Sequence, residues 1–216
     1  MPAERRGLGP TASAAGRQRI GLFGGTFDPP HAGHLAAART CREALALDRV
    51  LLVVANHPWQ KVPRRAITPA EDRFELVTSA VEGVPGVEAS RIEIDRGGPS
   101  YTIDTVEALT EEERTSGRPP PRLFLIVGGD LVGSLPTWNR VDELRRLVTL
   151  VIVSRPHSPT PTRPDGWTSE LVDGHGVDVS SSEVRTLLGE GRPIAGMVPD
   201  AVERCILRRG LYAVPR

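Results

Sequence analysis

Cysteine, lysine and aromatic residues are scarce in this 216-residue chain, its formal net charge is zero, and its apolar runs are short. The two cysteines, Cys41 and Cys205, each sit in a helical pattern far from any CxxC spacing. That excludes a disulfide framework and reads as two buried, reduced thiols. No stretch approaches the ~18 uninterrupted apolar residues of a membrane span, and the first twenty residues carry no apolar segment of the secretory kind. A cytoplasmic protein with no membrane partner is expected. Electrical neutrality argues against a protein built to coat nucleic acid. Lysine is reduced to Lys61 alone, so 26 of the 27 basic residues are arginine. The skew reads as a codon-composition bias, but it singles out Lys61.

What is present is an alternation. Residues 1–18 are rich in Gly, Pro, Ala and Arg without periodicity and read as a disordered extension. Residues 19–216 are expected to form a single domain. Five apolar, β-branched runs follow: "RIGLF" (19–23), "RVLLVVA" (49–55), "VEASRIEI" (87–94), "RLFLIVG" (122–128) and "TLVIVS" (149–154), each succeeded by helical spacing. The alternation predicts an α/β, Rossmann-like, doubly wound sheet, mainly parallel and of five to six strands. Thr68-Pro69-Ala70-Glu71 and Ser180-Ser181-Ser182-Glu183 both read as capped helix starts. A proline-rich loop, "RPHSPTPTRPDGWTSE", separates the fifth strand from the second of these starts; "VDVS" is read as a short extra strand. Residues 179–216 are expected to form a C-terminal helical appendage whose last helix, "DAVERCILRRG", ends at Gly210. There is no internal repeat.

The densest cluster of chemistry is "GGTFDPPHAGH" (24–34), directly after the first strand and directly before a helix. In a doubly wound sheet this is where helix-terminal N–H groups favour an anion. Gly21, Gly24 and Gly25 do not make a GxGxxG fingerprint, and no GxxxxGK[ST] loop is present. His31 and His34, three apart, can face one side of the first helical turn. Three readings compete for the pair: phosphate donors, a metal site, or polar residues that satisfy the helix start. No Cys or Glu nearby supplies the spacing of a zinc site, so no protein-held metal is expected.

"GGTFDPPHAGH" resembles the first signature of the nucleotidyltransferase superfamily with the (T/H)xGH motif, and "VSSSEVR" (179–185) resembles its second, written ISSTxxR. "GGPSYTIDT" (97–105) and "VGGDLVGSLPTWNRVDEL" (127–144) are similar to segments of the nicotinate-nucleotide adenylyltransferases. The resemblance spans about residues 19–212. It implies transfer of the adenylyl group of ATP to nicotinate mononucleotide, giving nicotinate adenine dinucleotide and pyrophosphate in NAD biosynthesis, with Mg2+ entering alongside ATP. Other acceptors in the superfamily (nicotinamide mononucleotide, phosphopantetheine) and a non-catalytic nucleotide-binding regulator are the alternatives. Oligomeric state is open, with room for a homo-oligomer.

The resemblance also assigns roles. His31, His34 and Arg185 are the catalytic group. Gly24, Gly25 and Thr26 line the α-phosphate, and Ser181 and Ser182 join Arg185 at the β- and γ-phosphates. Lys61 falls where the family often shows a PPHK-like sequence whose lysine approaches the substrate phosphates, although here Trp59 and Gln60 stand immediately before it. Asp130, at the end of the fourth strand, is expected to accept a ribose hydroxyl. Tyr101, Thr102, Trp138 and Asn139 are expected to bind the mononucleotide, Trp138 by stacking on the pyridine. Asp28 is read as a turn residue that fixes the loop. Each has a plainer reading as well: Ser180–Ser182 as a helix cap, Arg185 and Lys61 as solvated side chains, Trp138 as a core residue.

Overall fold

The computed structural model describes residues 17–58, 67–154, 161–174 and 178–212. The apolar runs become strands β1 (Arg19–Gly25), β2 (Arg49–Val54), β3 (Val87–Ser90), β4 (Arg122–Gly128) and β5 (Val148–Val153), with a short β6 (Ser169–Val172). The helices are α1 (Ala32–Ala44), α2 (Ala70–Val81), α3 (Ile92–Arg96), α4 (Thr102–Thr115), α5 (Val141–Leu147), α6 (Ser181–Gly189) and α7 (Asp200–Arg209), and a 3₁₀ segment spans Gly129–Thr137. All strand pairs are parallel, in the order β3-β2-β1-β4-β5-β6.

That order fixes where a ligand can sit. The chain steps outward from β1 through β2 to β3, then returns to lay β4 on the other side of β1. The carboxyl ends of β1 and β4 therefore diverge into loops on opposite faces and leave a crevice between them. Alternate side chains of the strands feed two cores. Leu22, Leu51, Leu125 and Leu150 meet Ile103, Val106 and Leu109 of α4 on one face, while Val50, Leu52, Ile126 and Val151 meet Ala38 and Cys41 of α1 and Val77 of α2 on the other. Full burial of such side chains is worth about 1.5–3 kcal/mol each. A third cluster joins Leu76 and Ala80 of α2 to Val184 of α6 and Val202, Cys205 and Ile206 of α7. The C-terminal helices thus lean on α2 beside the crevice.

Four expectations from sequence change. The "VEASRIEI" strand stops at Ser90, and its second half is α3. The sixth strand is Ser169–Val172, from the end of the proline-rich segment, and Asp178–Ser180 of "VDVS" form no strand. The start of α2 has Pro69 at the cap position, while the Thr68 carbonyl accepts a hydrogen bond from Arg73 Nε at 2.7 Å. Asp130 lies in the 3₁₀ segment just beyond β4. By contrast, Ser180 caps α6, accepting the Glu183 N–H at 3.1 Å, and Gly210 closes α7 in the left-handed conformation. Both cysteines are buried and free.

Candidate active site

β1 delivers the chain into the crevice at Gly25, and the first signature turns sharply there. Phe27 takes a left-handed φ of 49°, and its ring folds back over Gly25, where a Cβ would lie 2.8 Å from the ring. Only glycine permits that closeness. The turn buries Thr26, Asp28 and His31 and places His31 at the N-cap of α1. One turn in, His34 stacks on it, with ring centroids 3.6 Å apart and planes at 29°. The Phe27 ring meets His34 edge-on at 4.9 Å.

This packing settles the tautomer of His34. The His31 backbone N–H donates to His34 Nδ1 at 3.2 Å, so Nδ1 is an acceptor and the proton of the neutral ring resides on Nε2. Charging both stacked rings would cost roughly 4–5 kcal/mol at an effective dielectric of ~20. The helix N-terminus opposes positive charge as well. The two rings are therefore not charged together, and the donor left to His34 is its Nε2–H.

The second signature lies against the first. Ser181 Oγ donates to the Pro29 carbonyl at 2.9 Å, and Arg185 Nη1 donates to the Asp28 carbonyl at 2.6 Å. Arg185 Nη2 also holds Ser182 Oγ at 3.0 Å. Tyr212, beyond α7, donates its hydroxyl to Asp28 Oδ1 at 2.8 Å, and the Ala32 N–H donates to the Met197 carbonyl at 2.8 Å. Burial pushes the Tyr212 hydroxyl well above its ordinary range, so it stays protonated as a donor. Asp28 is thus more than a turn residue: its carboxylate and its carbonyl anchor two different C-terminal side chains.

A cleft of about 860 Å³ gathers these groups with the middle motifs. Gly24, Gly25, Thr26, His31, His34, Ser181, Ser182 and Arg185 line it, and so do Tyr101, Thr102, Asp130, Trp138 and Asn139. Trp138 is half-buried between the core and the cleft. One side packs against the α4 core cluster, its Nε1 donates to Ser134 Oγ at 3.3 Å, and it still faces the cleft. Every sequence-selected site residue is therefore in the cleft except Lys61, which with Trp59 and Gln60 lies outside the described residues. Among the described residues, no group of three or more His, Cys, Asp or Glu side chains could hold a metal ion.

A model of the cytidylyltransferase-like family matches residues 22–187. The chain is 46% identical over 194 residues to a probable nicotinate-nucleotide adenylyltransferase of Thermus thermophilus, covering 90% of this chain and 99% of that one. It is 41% identical over 200 residues to the corresponding protein of Acidothermus cellulolyticus, covering 91% and 95%. The chain belongs to the nicotinate-nucleotide adenylyltransferase family. Its fold matches that of the Plasmodium falciparum nicotinic acid mononucleotide adenylyltransferase complexed with NaAD, with a TM-score of 0.72 over 90% of this chain and 97% of that one at 17% identity.

At the cleft wall and behind it, two buried charged residues escaped the sequence reading. Arg73, 1% exposed, donates to the carbonyls of Thr68 (2.7 Å), Thr26 (2.8 Å) and Asn56 (3.3 Å), tying the first signature to the exit of β2. Burial lowers its pKa, and the neighbouring Asp28 acts in the opposite direction. The signal was available: Arg73 shares the spacing of Leu76, Val77 and Ala80 on the buried stripe of α2. Glu93, 6% exposed, lines the cleft and was hidden by the assignment of 87–94 as one strand. No helix among the described residues is long and apolar enough to cross a membrane.

Proposed function

We propose that this protein transfers the adenylyl group of ATP to nicotinate mononucleotide, forming nicotinate adenine dinucleotide and pyrophosphate. The acceptor phosphate oxygen attacks the α-phosphorus in line, a new P–O bond forms, and the bond to the β-phosphate breaks. The observation that carries this reading is the union of both signatures over one cleft that Tyr101, Thr102 and Trp138 also line. Two polyanions must meet for this reaction, so positioning and charge neutralisation dominate the work.

Each residue then has a task. The loop at Gly24, Gly25 and Thr26 cradles the α-phosphate at the N-terminal end of α1. His34 Nε2–H and the His31 imidazole donate to the oxygens that gain charge as pyrophosphate leaves. Ser182, Arg185 and the backbone N–H of Ser181, whose hydroxyl is already given to the Pro29 carbonyl, hold the β- and γ-phosphates at the start of α6, where the helix terminus adds its own donors. Trp138 stacks on the pyridine, and donors around Tyr101, Thr102 and Asn139 select its carboxylate over an amide. Asp130 receives a ribose hydroxyl. ATP would come with Mg2+, which would neutralise phosphate charge; among the described residues no group of three or more His, Cys, Asp or Glu would hold the ion.

Three candidate nucleophiles for a covalent enzyme intermediate are disfavoured. Burial raises the Cys41 thiol to about 12, Cys205 is also buried, and the Ser181 hydroxyl is engaged by the Pro29 carbonyl. The test is pyrophosphate release from MgATP with a panel of phosphate acceptors. Rapid turnover is expected with nicotinate mononucleotide. Preference for the amide nucleotide or for phosphopantetheine would overturn the acceptor assignment, and no turnover with any acceptor would favour a nucleotide-binding regulator.

A further inference from the structure

The segment carrying Tyr101 and Thr102 is bracketed by two hydroxyls, and both converge on one buried carboxylate. Thr105 Oγ1 donates to Glu93 Oε1 at 2.7 Å, and the Ser100 hydroxyl donates to the same carboxylate. Ser100 Oγ in turn accepts the Asn56 N–H at 2.8 Å, while Thr105 Oγ1 accepts Arg96 Nη1 at 3.1 Å. The loop before Tyr101 is fastened to the same β2 exit twice more: Asn56 Nδ2 donates to the Gly98 carbonyl at 3.1 Å, and the Ser100 N–H donates to the His57 carbonyl at 3.1 Å. Gly97 and Gly98, with φ of 72° and 68°, supply the left-handed turn that brings this loop across.

We infer that Glu93 is a positioning residue for the acceptor subsite, setting the place of Tyr101 and Thr102 through the hydroxyls of Ser100 and Thr105. The inference rests on the proposed adenylyl transfer to nicotinate mononucleotide. A carboxylate is the side chain suited to this task, because it accepts two hydroxyl protons at once and donates none. Its burial is unfavourable by itself: desolvation raises its pKa, while the two hydroxyl hydrogen bonds and Arg96 act in the opposite direction. A buried charge is a poor source of stability, so its place in the cleft wall is accounted for by geometry.

The experiment is steady-state kinetics of the full chain with MgATP and nicotinate mononucleotide, alongside thermal melts, for the wild type and for Glu93→Gln, Ser100→Ala and Thr105→Val. Glutamine keeps the shape but replaces one of the two accepting oxygens by an amide NH2 that can only donate. The expected result is a rise of about tenfold in the mononucleotide KM for Glu93→Gln, with the ATP KM changed less than about twofold and no fall in melting temperature. Ser100→Ala or Thr105→Val should reproduce part of the rise, and adding Ser100→Ala to Glu93→Gln should add little. An unchanged mononucleotide KM in Glu93→Gln overturns the inference, as do equal rises in both KM values. If Glu93→Gln does not fold, an unchanged mononucleotide KM in both hydroxyl variants overturns it. A wild type that does not turn over nicotinate mononucleotide refutes the substrate reading instead, whatever the variants do.

Discussion

Replacing His34 by asparagine and by alanine separates the two tasks that its ring performs. Nδ1 accepts the His31 N–H at 3.2 Å, which is a helix-start bond, and Nε2–H is assigned to the departing phosphates. Asparagine retains an acceptor near the position of Nδ1 and drops the Nε2 donor; alanine drops both. Loss of one preorganised donor to developing charge lowers turnover by about 10²–10³-fold, so both variants should fall by that factor. Loss of the helix-start bond is worth about 1 kcal/mol, roughly 2–4 °C in a chain of this size. Alanine should show that drop and asparagine little of it. The assay is pyrophosphate release at saturating substrates, paired with a thermal melt of each variant. A folded His34→Asn enzyme with near-normal turnover would refute the assignment of Nε2 to the reaction.

Three further outcomes follow from the same geometry. Trp138→Ala should weaken nicotinate mononucleotide by roughly tenfold or more while leaving the ATP KM nearly unchanged; equal losses for the two substrates would place Trp138 in the core only. Arg73→Met strands the carbonyls of Thr26, Asn56 and Thr68 and should cost about 3 kcal/mol or more, lowering the melting temperature by roughly 6 °C or more; a shift below about 2 °C would show that those carbonyls find other partners. Glu93 has a folded-state pKa raised above its unfolded value, so its favourable contribution is complete below the unfolded value and is lost as pH rises through the folded one. The melting temperature of Glu93→Gln should therefore gain on the wild type between acid and neutral pH, and a gap that stays constant or narrows would contradict the assigned burial cost.

Much of this architecture was legible because its signals are local. Apart from Arg19, Arg49, Arg122 and Thr149 the β1, β2, β4 and β5 runs carry no polar side chain, as suits strands covered on both faces, and Ser180 and Gly210 mark helix ends by chemistry that needs no tertiary partner. The motif residues were placed by resemblance, and the fold brings them together because β1 and β4 are neighbours at the reversal of strand order. What escaped was decided by tertiary contact. Four residues of β6, two of them polar, make a weak strand signal, and only pairing with β5 selects it. Arg73 reads as a surface charge until the carbonyls of three separate segments are seen to surround it. Glu93 fits a strand pattern until Ser100 and Thr105 arrive from the next loop and helix.

The central claim is that one cleft holds both substrates at once, so that one phosphate displaces another without an enzyme-bound intermediate. Initial rates measured over a grid of MgATP and nicotinate mononucleotide concentrations test it most directly. Reciprocal plots that intersect are predicted, since both substrates must be present before pyrophosphate leaves. Parallel lines, the mark of an adenylylated enzyme formed before the acceptor binds, would contradict the account.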